Sequence, residues 1–134
     1  MIVKKYSLLY IAFGLTILLA VTNILAKTFY LYWTIWWFDN ATHLLAGFAG
    51  GLIAIWFLYH SDLFYRRTPT TFEGILISVI SVLIFAVAWE VFEYVNDIAQ
   101  AAEGYVLDTT NDLLFSTLGA IFAGLFGSQE KQST

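Results

Sequence analysis

The sequence contains no cysteine, a single proline and few charged residues for its length. Without cysteine the chain can form no disulfide, and thiol chemistry is excluded. Asp, Glu, Lys and Arg make up only 12% of the 134 residues, whereas a soluble domain carries about 25%. This shortage of charge argues against a water-soluble domain and predicts a chain that has lipid as part of its solvent.

Basic residues are scarce as well, and their placement excludes another class of function. Five of the six lie in the N-terminus, one central stretch and the C-terminal tail: Lys4, Lys5, Arg66, Arg67 and Lys131. Nucleic-acid binding needs a basic face, which this pattern does not supply. Basic residues that flank apolar segments are instead typical of the cytoplasmic side of a membrane protein.

Apolar sequence is abundant, since 60% of the residues are hydrophobic and the mean hydropathy is +0.75. About 20 helical residues cross a hydrocarbon core of about 30 Å. Four segments reach that length, at residues 6–26, 41–60, 73–95 and 109–127. The sequence therefore predicts an all-α polytopic membrane bundle of four transmembrane helices. We expect one domain over residues 1–127 and a polar C-terminal tail over 128–134.

The basic residues also predict how the four helices are oriented. Placing Lys4 and Lys5 in the cytoplasm sends the first helix outward. The second helix then returns, so the loop with Arg66 and Arg67 is cytoplasmic as well. Only Lys27 lies outside, and both termini are cytoplasmic. We expect a multi-pass protein of the cytoplasmic (inner) membrane, whose first helix is retained rather than cleaved as a signal peptide.

An aromatic segment joins the first two predicted helices. In residues 28–38, seven of the eleven side chains are aromatic. Trp and Tyr favour the headgroup level of a bilayer, so the segment is expected to anchor the chain at the membrane interface. The alternative is a lid or a platform for a lipid or isoprenoid chain. Whether the segment is helix or loop is left open by the sequence.

Small residues recur where membrane helices could approach closely. Gly47 and Gly51 have the small-xxx-small spacing that lets two helices touch backbone to backbone. The other small residues are Gly50 in the second helix and Gly119, Ala120, Ala123 and Gly124 in the fourth. These faces predict close packing, either within one chain or in a homo-oligomer.

Acidic residues are the exception in this apolar chain, and they fall at helical spacings in three places. Asp39 and His43 are four residues apart, so they share one helix face. The other members are Glu90, Glu93 and Asp97 on the third helix and Asp108, Asn111 and Asp112 on the fourth. On the predicted topology, all three groups meet at the extracytoplasmic end of the bundle. Charged groups near hydrocarbon are costly and tend to mark functional sites.

Several carboxylates at one partly buried place need protons, cations or a metal to coexist, and only Lys27 is expected nearby. Carboxylates with one histidine suit a divalent cation such as Mg²⁺, Mn²⁺, Ca²⁺ or Zn²⁺. We therefore expect a divalent metal site. Its candidate ligands are Asp39, His43, Glu90, Glu93, Asp108 and Asp112. Glu90 and Glu93 are also the candidate catalytic residues, because they lie inside an apolar run where neither can cap a helix.

Simpler interpretations exist for the other acidic residues and for the histidine. Asp39 and Asp108 precede predicted helices, and Asp is a favoured N-cap residue. As caps, neither would take part in chemistry. His43 on its own could be a core histidine with satisfied hydrogen bonds.

The order of these motifs resembles that of a known family. The residues are Asp39-x-x-x-His43, Trp89-Glu90-x-x-Glu93-Tyr94 and Asp108-Thr109-x-x-Asp112-Leu113, leading to Leu118-Gly119-Ala120. Over about residues 36–124 the chain looks like the YjdF-like bacterial inner-membrane proteins and, more distantly, the VanZ-like membrane proteins. Ser116 and Thr117 stand where the VanZ-like pattern has an Asn. The resemblance implies a bacterial-type polytopic membrane protein with polar residues at the outer leaflet, and little about activity.

Three functions fit these observations. The first is an enzyme that uses the metal to act on a lipid or isoprenoid-linked substrate of the outer leaflet. The second is a cation- or proton-handling membrane protein, although only Asn23, Ser78 and Ser81 could extend a relay toward the cytoplasm. The third is a non-catalytic structural or accessory protein, in which the polar cluster holds the helices together. Loss of activity on chelation would favour the first, and loss of folding in single carboxylate variants the third.

Overall fold

A computed structural model describes residues 6–96 and 104–129, and within these ranges the chain is helical with no β-strand. The helices are α1 (Ser7–Thr28), α2 (Leu31–Thr34), α3 (Phe38–Ile55), α4 (Thr71–Val95) and α5 (Tyr105–Gly127). One π-helical turn, Trp56–His60, continues α3. The four predicted segments are thus confirmed as helices. Lys4, Lys5, Asp97, Lys131 and most of the polar tail lie outside the described residues.

Three of the helices are long and apolar enough to cross a membrane: Ser7–Thr28, Phe38–His60 and Thr71–Val95. Their outward surfaces are strongly apolar. Phe13 and Ile84 are each 63% exposed and Phe85 is 77% exposed. Such surfaces are unfavourable in water and favourable against lipid. The described helices therefore support three membrane crossings. α5 is less apolar than these three helices, because Asp108 and Asp112 lie in its first turns.

α5 packs against both α3 and α4, α3 and α4 also contact each other, and α1 packs on α3. Glycine sets the distance between α3 and α5. A Cβ atom on Gly47 would collide with the backbone carbonyl of Ser116, and one on Gly119 would collide with the carbonyl of Leu44. A Cβ on Gly51 would lie 2.6 Å from that of Ala123. The predicted close packing is therefore confirmed within a single chain.

The loop between α3 and α4 is held by one arginine. The guanidinium of Arg67 donates to both carboxylate oxygens of Glu73, at 2.6 and 2.8 Å, and lies over the rings of Tyr59 and Tyr65. Glu73 also completes a capping box with Thr70 at the start of α4. The hydrogen bonds to Glu73 raise the pKa of the Arg67 guanidinium above its ordinary value. Arg67 is therefore paired with Glu73 at the end of the bundle where α4 begins.

The opposite end carries the acidic residues. α3 and α5 both begin there and α4 ends there, so the three acidic groups predicted from the sequence come together. The aromatic segment lies at the same end. It is neither one helix nor an open loop, since α2 forms a single helical turn inside it and Tyr30 has a left-handed backbone conformation with φ of 56°.

Candidate functional site

Asp39, His43 and Asp112 form the tightest acidic group among the described residues. One ligand atom from each lies within 4.8 Å of the other two. Nε2 of His43 is 3.7 Å from Oδ1 of Asp39 and 3.5 Å from Oδ1 of Asp112. Asp39 and His43 are one turn apart on α3, whereas Asp112 comes from α5. The glycine contact between these two helices, one turn below at Gly47, therefore brings the group together.

Asp112 is the buried member, with only 3% of its surface exposed. Its Oδ1 atom is enclosed and has no hydrogen-bond partner among the described residues. The 3.5 Å separation from His43 is longer than an N–H···O bond of about 2.7–3.2 Å. A buried carboxylate oxygen without a partner is costly. The site therefore has an unmet requirement for a proton or a cation at this atom.

Ser116 supports the other side of the imidazole. Its hydroxyl oxygen lies 3.4 Å from Nδ1 of His43, and the residue is only 3% exposed. With Nδ1 directed at Ser116, Nε2 faces the two carboxylates. Sequence reasoning did not assign Ser116 to the site, although it follows Asp112 by four residues and so shares its helix face. That spacing was the available signal.

Glu90 lies on the neighbouring helix and is well paired. It is 5% exposed, and Oε2 accepts a hydrogen bond of 2.7 Å from the Thr109 hydroxyl. Its backbone carbonyl accepts another, of 3.2 Å, from the Tyr105 hydroxyl. Both donors belong to the first turns of α5. Glu90 thus joins α4 to α5 directly beside the group of three.

Glu93 and Asp108 complete the predicted set and are partly buried. Neither they nor Glu90 belong to the group of three. All four other carboxylates still lie close enough to Asp112 for their charges to act on it: Asp39, Asp108, Glu90 and Glu93. Of the six candidate ligands, three therefore share one small volume. The charges of the other three act on Asp112 from outside that volume.

The interpretation of Asp39 and Asp108 as helix caps is wrong. α3 has Trp37 at its N-cap position and α5 has Gly104, and no side chain of residues 6–96 or 104–129 caps either helix. Both helices begin earlier than the sequence suggested, so each aspartate falls in the first turn. There a negative charge still interacts favourably with the helix dipole. Asp39 is therefore available to the histidine, and its role is not that of a cap.

Tyr32 is a site residue that the sequence did not single out. Its hydroxyl donates a 3.0 Å hydrogen bond to Oδ1 of Asn23 on α1. Burial raises the pKa of the Tyr32 phenol, and the charges of Asp39 and Glu93 raise it further, against an opposing hydrogen bond with Thr42. Tyr32 is therefore a neutral phenol next to the carboxylates. Residues 28–38 contain seven aromatic residues, and their composition does not distinguish Tyr32 from the other six.

An aromatic rim borders the acidic cluster. We define it as Tyr30, Tyr32, Trp33, Trp37 and Phe38. The Tyr32 ring meets Phe38 edge-on at 5.3 Å and Trp33 edge-on at 6.5 Å, and Trp33 lies 5.8 Å from Tyr30. Trp33 remains 53% exposed. The rim therefore lies at the same end of the bundle as Asp39, which directly follows Phe38 in α3.

Fold and site together define a helical membrane protein with a histidine and carboxylate cluster at one end. The chain belongs to the family described as "Predicted membrane protein (DUF2238)", whose sequence profile matches residues 2–132. Comparisons with curated proteins and with solved structures gave no match. The family match confirms the membrane class predicted from composition. The narrower resemblance to YjdF-like and VanZ-like proteins stays a prediction.

Proposed function

We propose that Asp39, His43 and Asp112 bind a divalent metal ion at the extracytoplasmic end of the bundle. The observation that carries the proposal is the buried Oδ1 atom of Asp112, which lacks a hydrogen bond within the part of the chain that the structure describes and faces Nε2 of His43 at 3.5 Å. Two tetrahedral ligands bound at about 2.0–2.2 Å lie about 3.4 Å apart. The observed separations of 3.5 and 3.7 Å are close to that value. A cation would supply the missing partner and neutralise two carboxylates.

α5 is the fourth membrane crossing in this proposal. It packs along α4 from the Glu90–Thr109 hydrogen bond at one end to the contact of Gly74 with Gly124 at the other. A helix that follows a membrane-spanning neighbour over that length shares its depth. Its Asp112 and Ser116 are buried inside the bundle rather than facing lipid, as polar groups in membrane helices are. With four crossings, both termini would lie on one side of the membrane, and the placement of the basic residues favours the cytoplasm for that side. The YjdF-like resemblance favours a bacterial inner membrane.

The reaction that suits such a site is metal-assisted attack on a lipid or isoprenoid-linked substrate of the outer leaflet. The metal would polarise a phosphoryl or acyl oxygen. Glu93 and Glu90 are the candidates for general base. Glu93 is the more accessible of the two, because Glu90 is buried and accepts the Thr109 hydroxyl. In this proposal the chain is a membrane-embedded hydrolase or transferase.

A structural role is the second candidate, and the hydrogen bonds of Glu90 favour it. They tie the end of α4 to the start of α5. A cluster that served only this purpose would hold its carboxylates together with shared protons and would not need a metal. The two functions differ in what the group of three binds, so metal affinity separates them.

The test is a metal titration of the full chain, purified in neutral detergent and stripped with chelator. Zn²⁺ and Mn²⁺ are titrated separately by calorimetry, with the thermal midpoint as a second readout. We expect one ion per chain and a higher thermal midpoint when it is bound. Asp112→Asn should abolish both effects. Glu73→Gln is the matched control, because it makes the same chemical change at the opposite end and keeps a residue suited to the capping box. Failure of the wild-type protein to bind either ion would leave the structural role.

A further inference from the structure

The loop between α3 and α4, residues 61–70, exposes large apolar side chains although it lies outside both helices. Leu63 is 70% exposed and the adjacent Phe64 is 59% exposed. Phe57, at the end of α3, contacts Phe64 and is exposed as well. An exposed apolar patch of this kind marks a contact with a protein, a ligand or a membrane.

The loop is folded back on the end of α3, so the patch has a defined shape. The Tyr65 N–H donates a 2.9 Å hydrogen bond to the Leu58 carbonyl. The Tyr65 ring stacks on Tyr59 with 5.0 Å between centroids, and the Phe64 ring packs on Phe57 with 5.4 Å between centroids. The exposure of Phe64 is therefore a feature of a folded loop that is fixed to the helix before it.

Arg66 is the available cation of this loop. It is exposed, and it makes no hydrogen bond or ion pair with residues 6–96 or 104–129. The neighbouring Arg67 is instead held by both carboxylate oxygens of Glu73, and Asp62, the carboxylate of the same loop, is already engaged. The planar guanidinium fork of arginine matches the oxygen atoms of a phosphate. Arg66 can therefore bind an anion from outside the chain.

The helices on either side place the loop at a membrane surface. Phe38–His60 and Thr71–Val95 are both long and apolar enough to cross a membrane, so the residues between them lie where the two helices leave the bilayer. Hydrocarbon then lies on one side of the loop, and lipid phosphates lie beside it. A phospholipid supplies what both features require, since its acyl chains contact apolar side chains and its phosphate accepts hydrogen bonds from arginine.

We propose that residues 61–70 form a membrane anchor that binds a phospholipid. Leu63 and Phe64 insert below the phosphate level of the nearer leaflet, and the Arg66 guanidinium binds the lipid phosphate. This site lies at the opposite end of the bundle from Asp39 and Asp112, and it goes beyond the proposed function because it does not depend on a metal.

The depth of the loop is measured by spin labelling, which the absence of native cysteine makes specific. Leu63→Cys carries a nitroxide in the full chain in phospholipid bilayers, and its collisions with oxygen and with a water-soluble nickel complex are compared. Phe85→Cys, at an exposed position within α4, is the hydrocarbon reference, and Gln129→Cys, exposed beyond the end of α5, is the water reference. We expect the label at position 63 to lie between the two references and below the phosphates. A label as accessible to the nickel complex as the one at position 129 would overturn the proposal.

Native mass spectrometry tests the phosphate contact. The full chain in neutral detergent is mixed with phosphatidylglycerol, or with a diacylglycerol that has the same acyl chains and no phosphate. Chelator is present throughout, so that a lipid held by the proposed metal does not contribute. We expect the wild-type protein to retain phosphatidylglycerol in preference to diacylglycerol.

Two variants locate the phosphate. Arg66→Gln should retain about tenfold less phosphatidylglycerol, because a charge-assisted contact is lost. Lys27→Gln is the matched control, since it removes an exposed cation at the opposite end of the bundle, and it should retain as much as the wild type. Equal retention of the two lipids, or unchanged retention in Arg66→Gln, would overturn the inference. Displacement of phosphatidylglycerol by an equal concentration of inorganic phosphate would also overturn it, because the ligand would then be the free anion.

Discussion

Nε2 of His43 faces Oδ1 of Asp112 across the contact between α3 and α5, at 3.5 Å and without a hydrogen bond. The two atoms are close enough to bind the same ion and too far apart to form a hydrogen bond with each other. A folded protein rarely leaves a buried carboxylate oxygen in that state without a reason. This relationship is the basis of the proposed metal site.

Asp112→Asn should make the metal-free protein more stable. The substitution puts a neutral amide where four other carboxylates oppose ionisation of the buried carboxyl group, and functional sites commonly hold such unfavourable arrangements. We expect the thermal midpoint of the chelated variant to rise by a few degrees above that of the chelated wild type. A lower midpoint would mean that the carboxylate serves the fold.

Ser116→Ala should weaken metal binding without preventing it. The Ser116 hydroxyl is the polar neighbour of Nδ1 of His43, at 3.4 Å, and loss of a group that supports a ligand imidazole costs about 10- to 100-fold in metal affinity. Alanine is small enough for the close contact with α3. Thr117→Val is the control, because the Thr117 hydroxyl donates to the Leu113 carbonyl within its own helix. Calorimetric titration of both variants checks the prediction, and equal affinities would contradict it.

Gly119→Ala should destabilise the bundle, whereas Gly14→Ala should not. The added methyl group at 119 would meet the backbone of Leu44 and Phe48, while the one at 14 would meet no atom within 4 Å. Overpacking of this kind costs about 1–3 kcal/mol, and alanine at an open helix position is favourable by up to about 1 kcal/mol. Unfolding of the two variants in mixed micelles measures the difference. A stable Gly119→Ala protein would show that α3 and α5 are farther apart than described.

Thr109→Val should lower stability and leave metal binding intact. The variant removes the hydroxyl that donates to the buried Glu90 carboxylate, and an unsatisfied buried acceptor costs about 1–3 kcal/mol. Thr110→Val is a matched control one residue away, because Thr110 is exposed and donates to Val106 in its own helix. If Thr109→Val lost the metal as well, Glu90 would belong to the binding site itself.

The helices and the end at which the acidic residues meet were predictable from the sequence. Apolar length defined the four segments. The alternation of basic loops placed Asp39, Glu90 and Asp112 at one end before any contact was known. Gly47 and Gly51 indicated the close packing that brings α3 to α5. These features depend on periodicity and composition, which a single sequence contains.

Which residues form the site was less predictable, because that depends on distances between helices. Helical spacing puts Glu90 and Asp112 on suitable faces, yet only contacts across the bundle show that Glu90 pairs with Thr109 while Asp112 faces His43. The position of Tyr32 depends on the left-handed backbone conformation of Tyr30, directly before α2. The composition of the segment does not predict that conformation. The sequence also predicted the starts of α3 and α5 several residues too late. For that reason the interpretation of Asp39 as a helix cap was wrong.

The most direct test of the metal site is X-ray absorption spectroscopy of the Zn²⁺-loaded full chain in detergent, with Asp112→Asn and Glu73→Gln measured alongside. The account predicts a first shell of one imidazole nitrogen and at least two oxygens at about 2.0–2.2 Å, retained in Glu73→Gln and lost in Asp112→Asn. A shell without imidazole, or one that Asp112→Asn leaves unchanged, would contradict the assignment of Asp39, His43 and Asp112 as the ligands.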